Sequence, residues 1–219
     1  RDRGWSYLGI ADHSRSAAYA GGLSVERARQ QWDEIERLNQ RFGPEFRILK
    51  GIECDILVDG SLDYPDDVLA GFDYVVASVH SQFGLSRQAM TERIVRAVRH
   101  PFVTMLGHPK GRLLLQREAY AVDLDEVIRE AAQSRCMIEI NASPYRLDLD
   151  AIHCKRAVEL GVRLAINPDA HSIAGLDDVS YGVCVARRAG LSRAAVLNTE
   201  PLEVVIGTLA SLRTRGRSH

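Results

Sequence analysis

The chain has little of several things, and each shortage closes off a class of protein. Its 219 residues include only four cysteines, Cys54, Cys136, Cys154 and Cys184, far apart and without a Cys-x-x-Cys pair. This excludes a cysteine zinc ribbon and a disulfide-dense scaffold; the four read as small buried hydrophobes of a reducing compartment. No apolar run reaches membrane-spanning length and no signal-peptide pattern is present, so the expected location is the cytoplasm, with no membrane partner. There is no excess of one charge. With 28 basic and 29 acidic side chains the formal charge is −1, so no global field draws the chain to nucleic acid. A local basic patch or bound cations would still serve an anionic substrate. No low-complexity linker divides the chain. The first residues, Arg1-Asp-Arg-Gly-Trp5, lack a Met and look like a helix end with its αβ turn, so the chain is expected to start inside a larger protein.

What is present is an alternation of strands and helices. A hydrophobic share of 46% at this length allows one domain with a substantial core. Apolar runs predict strands over 5–10, 46–52, 73–79, 102–106, 136–140 and 162–166. Between them, helical spacing and capping residues predict helices from Ser24 to Phe42, over 86–99, from Asp123 to Ser134, over 150–160 and over 181–189. Asp59-Gly60 suggests a hairpin-like excursion over 55–64. Residues 202–212 form a last helix, and the basic tail from Arg213 is expected to fray. The domain is therefore drawn over 1–200, with a C-terminal helix and tail over 201–219. Strands alternating with helices imply a parallel sheet with right-handed crossovers. In a β/α barrel the loops after the strands form the active face.

The polar residues cluster at those strand ends. Five of the six offer a metal-competent side chain: Asp12-His13, Glu53, His80, His108, and Asp169 with His171. The sixth offers Asn141. Four of seven histidines at one topological position point to a shared metal site, and mixed imidazole and carboxylate ligands suit zinc, manganese or iron. Asp169 and His171, two residues apart, would leave an extended backbone on the same side. His100, His153 and His219 read as a helix-end, a helical and a terminal residue.

Asp12-His13-Ser14, Gly51-Ile-Glu53, Ala77-Ser-Val-His80, Leu106-Gly-His-Pro109 and Asp169-Ala-His171 resemble the ordered motifs of the polymerase and histidinol phosphatase (PHP) superfamily. More narrowly, the stretches 51–63, 107–114 and 138–148 resemble the PHP domain of bacterial family X DNA polymerases, and the similarity runs from about Gly9 to Leu202. The resemblance implies a distorted seven-stranded, TIM-like β/α barrel with up to three divalent ions, manganese foremost and zinc or iron as alternatives. Carried over position by position, it makes His13, Glu53, His80, His108, Asp169 and His171 metal ligands. Asp12 is assigned to orienting its neighbour or an ion-bound water. Asp12, His80, Asp169 and His171 are the catalytic candidates.

The family pattern opens on a strand with His-x-His and a following Asp. This chain has neither, so they are expected before Arg1, with a polymerase domain further upstream. The implied activity, that of the parent protein, is 3′–5′ exonucleolytic hydrolysis of terminal phosphodiesters at DNA 3′ ends, in DNA repair. Lys110, Arg112 and Arg146 are candidate phosphate clamps, with Asn141 and Ser143 as hydrogen-bonding partners of substrate or ligand. Tyr145 is a candidate for stacking on a base, with an ordinary packed tyrosine as the equal alternative. The alternatives are a histidinol-phosphatase-like phosphomonoesterase and a non-catalytic domain supporting a polymerase.

Overall fold

A computed structural model describes residues 1–17 and 20–213. The fraying expected beyond Arg213 falls outside the described residues. Six strands form one parallel sheet in chain order: β1 (Tyr7–His13), β2 (Arg47–Asp55), β3 (Tyr74–Ser78), β4 (Met105–Leu106), β5 (Met137–Asn141) and β6 (Leu164–Asn167). The helices are α1 (Val25–Phe42), α2 (Asp66–Leu69), α3 (Arg87–Val98), α4 (Leu124–Gln133), α5 (Ala151–Glu159), α6 (Val179–Arg188) and α7 (Leu202–Arg213). A seventh strand, implied by the family resemblance, is not among the described residues.

Local chemistry sets the boundaries. Ser24 Oγ accepts from Arg27 N–H at 3.3 Å to start α1, and Gly43, with φ 60°, ends it. Ser86, Asp123 and Asp150 cap α3, α4 and α5 in the same way. Each such cap contributes about 1 kcal/mol. The excursion after β2 closes where Ile56 bridges Leu62 and Gly60 takes φ 83°. Two expectations on extent need correction. β1 does not stop before Asp12: it pairs with β2 through His13↔Glu53. β4 shrinks to Met105 and Leu106, because only those residues find ladder partners on both sides.

The two faces of the sheet differ. Outward residues such as Ile52, Ala77, Leu106, Ile138 and Leu164 pack under the helices in the main core. Burying an aliphatic side chain of this kind contributes about 1.5–3 kcal/mol. Inward residues Leu49, Val76, Met105, Met137 and Ala165 meet Val205, Leu209 and Leu212 of α7, which plugs the N-terminal end of the half-barrel. Tyr74 lies across the interior over Gly9 and Gly51, where a Cβ on Gly51 would sit 2.2 Å from the Tyr74 ring. At the C-terminal ends of the strands the inward positions turn polar. β1 and β6 are the two edges of the sheet, with an open cavity of about 590 Å³ lined by residues of both. Even so, His13 at the end of β1 and His171 just after β6 bring their rings within 6.2 Å. The sheet therefore curls into a half-barrel.

The four cysteines are free. Three are buried as expected, but Cys184 is exposed on α6, so it is no part of the core. No helix among the described residues is long and apolar enough to cross a membrane.

Candidate metal centre

Strand parity builds the centre. Side chains at alternate positions share a face, so His13, Glu53, Asp55, Ser78, Glu139, Asn141 and Asn167 all continue the inward rows set by Leu49, Val76, Met137 and Ala165. Glu53 is the hub. Its Oε1 lies 2.9 Å from His108 Nε2 and 3.2 Å from His80 Nε2, and its Oε2 lies 3.4 Å from His13 Nδ1. The His13 and His80 rings meet edge-on at 4.9 Å, and those of His80 and His108 at 5.1 Å. The close approach of β4 depends on Gly107: a Cβ there would lie 2.3 Å from Ser78 Oγ.

Electrostatics follow from burial and pairing. Burial alone would raise the Glu53 carboxyl, but the hydrogen bond to His108 and the His80 ring against it hold it well below the usual carboxylate range. Burial alone would lower His80; Asp55 and Glu53 reverse this and push it up to about 9. His13 goes the other way, lowered by burial despite Glu53. Glu139, fully enclosed beneath the cluster, is pushed up by burial to about 7. It accepts from His108 N–H at 2.8 Å, from Asn167 Nδ2 at 2.9 Å and from Asn141 Nδ2 at 3.2 Å.

The residues fit a divalent ion. One donor atom each from His13, Glu53 and His80 lies within 4.8 Å of the others. His13 Nδ1, His80 Nε2 and His108 Nδ1 are buried and have no aligned hydrogen-bond partner among the described residues. Orphaned imidazole nitrogens around a carboxylate are costly without a Lewis acid to bind.

The other sequence-assigned residues divide. Asp169 reaches the centre, where its Oδ2 accepts from Asn141 Nδ2 at 3.0 Å and Arg146 Nε at 3.2 Å. It takes φ 53°, so the backbone turns instead of continuing as strand. The extended backbone expected for Asp169 and His171 therefore does not form, although the turn still brings the two side chains together, His171 Nδ1 lying 3.8 Å from Asp169 Oδ1. His171 stands at the rim, 73% exposed, with Nδ1 at 2.9 Å from the Asp169 carbonyl. Asp12 shares the outward row of Leu8 and Ile10, which pack with α1 residues; it accepts from Gln31 Nε2 at 2.5 Å and does not point into the cluster.

Of the clamp candidates, Lys110 Nζ is engaged by Asp150 at 2.9 Å, and Arg112 donates to the carbonyls of Arg146 and Leu147. Both brace loops. Ser143 donates its N–H to Asn141 Oδ1 at 3.1 Å and fixes the turn before Arg146. Arg146 alone faces the centre, with a buried Nη1 that has no partner among the described residues.

Sequence reasoning missed Asp55. Its Oδ1 lies 2.5 Å from His80 Nδ1, fixing the ring. The signal was present, since Asp55 stands two residues after Glu53 on the inward row. It also missed Asp148, buried and accepting from the N–H groups of Lys110 and Gly111, for which no local pattern exists.

A curled parallel sheet with a histidine–carboxylate cluster at its strand ends defines the class: an α/β half-barrel carrying a metal-competent centre. No family model matches the chain. It is 45% identical over 203 residues to the DNA polymerase/3′–5′ exonuclease PolX of Bacillus subtilis (strain 168), an alignment covering 93% of this chain and 35% of that protein. It is 30% identical over 163 residues to a probable phosphatase of Thermoanaerobacter sp. (strain X514), covering 70% of this chain and 64% of that one. Histidinol phosphate phosphatase from Lactococcus lactis subsp. lactis Il1403, solved with zinc, L-histidinol and phosphate, shares the fold with a TM-score of 0.57. That match covers 87% of this chain and 84% of the other at 14% identity. Over nearly its whole length the chain is thus similar to part of a bacterial family X polymerase, the likeness that its PHP-type motifs imply. It spans about a third of PolX and under two thirds of the phosphatase.

Proposed function

We propose that this chain is the metal-dependent phosphoesterase domain of a DNA polymerase of the X family, and that it hydrolyses terminal phosphodiesters at DNA 3′ ends. The observation that carries the reading is the cluster of three histidines around half-buried Glu53 at the strand ends, with exposed His171 at its rim. The relative named polymerase/3′–5′ exonuclease supports the same reading. His13, Glu53, His80, His108 and Asp169 would hold the ions, with His171 completing the set at the rim. Divalent ions bound there, manganese foremost, would polarise the phosphoryl group and lower the pKa of water toward neutrality. Asp55 holds the His80 ring in one orientation, and Glu139 fixes the His108 backbone. Arg146, whose Nη1 has no partner among the described residues, would bind a non-bridging phosphate oxygen.

A second reading, a phosphomonoesterase, draws support from the probable phosphatase and from the histidinol phosphate phosphatase that shares the fold. One comparison separates the two. The intact parent protein with manganese is given gapped DNA labelled at its 5′ end, and separately p-nitrophenyl phosphate or histidinol phosphate. Shortening of the DNA from its 3′ end, abolished by His80→Ala, is the expected result; turnover of the monoesters alone would favour the second reading.

A further inference from the structure

Two apolar side chains stand exposed on loops beside the centre, and the site as described does not use them. Leu115 is fully exposed and adopts φ 64° at the tip of a turn closed by the bridge between Leu113 and Arg117. Tyr145 is 64% exposed, next to Arg146. The two loops are joined: Leu114 N–H donates to the Tyr145 carbonyl at 2.7 Å, and Arg112 donates to the Arg146 carbonyl at 2.8 Å. The turn beneath Leu115 is stiffened by Arg117, which donates to the Gly111 carbonyl and lies 4.0 Å over the Phe83 ring. A leucine held in a left-handed conformation and fully in water is costly twice over, and such costs gather at binding sites.

We propose that Leu115 and Tyr145 seat the 3′-terminal nucleobase of a single DNA strand whose phosphate lies at Arg146. The seat rests on the phosphodiesterase reading and specifies what that site receives. Size selects the occupant. Two side chains are far too few for a protein interface, which takes about 20–30 residues a side, but they match one base lying on an aromatic ring. Charge selects it too. The guanidinium group of Arg112 is bonded to the carbonyl oxygens of Arg146 and Leu147, so the loop beneath Tyr145 carries positive charge suited to a phosphate chain. A free phosphomonoester would need neither feature.

The test uses the intact chain and its parent protein with a short oligothymidylate, labelled at its 5′ end and ending either in a normal nucleotide or in an abasic one. Affinity is read by fluorescence anisotropy in EDTA, where nothing is cleaved. The base-bearing end is expected to bind about tenfold tighter, the size of one stacking contact. Tyr145→Ala should abolish that preference, Leu115→Asn should reduce it, and Tyr145→Phe should keep it. Both side chains are exposed, so folding is not at stake. Equal affinity for the two ends in the wild type, no binding of either, or a preference untouched by Tyr145→Ala would overturn the seat. A preserved preference for the base without any shortening of the strand on adding manganese would instead leave the seat standing and remove the exonuclease reading.

Discussion

His80 Nδ1 lies 2.5 Å from Asp55 Oδ1, while its Nε2 faces Glu53 Oε1 at 3.2 Å. One carboxylate thus fixes the ring and leaves the other nitrogen for the centre. Carboxylate partners of ligating histidines typically contribute 10–100-fold to metal affinity. Asp55→Asn should therefore weaken manganese binding by about one to two orders of magnitude, read by isothermal titration calorimetry. An unchanged Kd would remove Asp55 from the site.

Arg146 and Lys110 should behave differently. Arg146 touches Asp169, whereas Lys110 is spent on Asp150. Arg146→Ala should lower kcat/KM on DNA by about tenfold or more, as expected for a lost charge-assisted contact to phosphate. Lys110→Ala should leave kcat/KM within about twofold and show its effect in the unfolding midpoint, because the loss there is a partly exposed ion pair. Steady-state kinetics beside urea melts would reveal a reversal of this order.

Much of the fold was legible in the sequence because its signals are local. Ser24, Ser86, Asp123 and Asp150 announce helix starts, and each side chain makes the cap its position suggests. Glu53, His80 and His108 could be placed because each follows an apolar run. Where the reading went astray, the deciding fact was not local. Asp12 and His13 look equivalent as a pair, but the β1 ladder extends through both and turns them to opposite faces. Lys110 and Arg112 look like clamps until Asp150 and two carbonyls, more than thirty residues away in sequence, absorb them. Asp169 sits in a left-handed turn that an apolar strand followed by Asn-Pro does not announce.

Gly51→Ala should be poorly tolerated although it adds one methyl group. That carbon would lie 2.2 Å from the Tyr74 ring. Overpacking of this kind costs about 1–3 kcal/mol, read in urea denaturation. Adding Tyr74→Leu should recover part of the loss. A wild-type midpoint for Gly51→Ala would mean that the ring does not fill the interior.

Asp150 gives a pH signature. Burial would raise its carboxyl, but Lys110 and the capped N–H and ring of His153 hold it well below its ordinary 3.8. A depressed folded-state value stabilises the protein fully above the unfolded value and loses that contribution as pH falls through the folded one. Asp150→Ala should cost about 1–2 kcal/mol at pH 7, and the gap from wild type should narrow below about pH 4. Thermal melts at pH 7, 5 and 3 would show it; a gap that widens in acid would contradict the assignment.

The central claim is that Glu53 and the histidines around it bind a divalent ion. The direct measurement is metal content by inductively coupled plasma mass spectrometry, after equilibration with manganese and gel filtration, for wild type and for Glu53→Gln. The isosteric change removes the hub's charge and little else. Bound manganese in the wild type and its loss in Glu53→Gln, with both proteins folded by circular dichroism, is the predicted result. Equal manganese in the two, or none in the wild type, would contradict it.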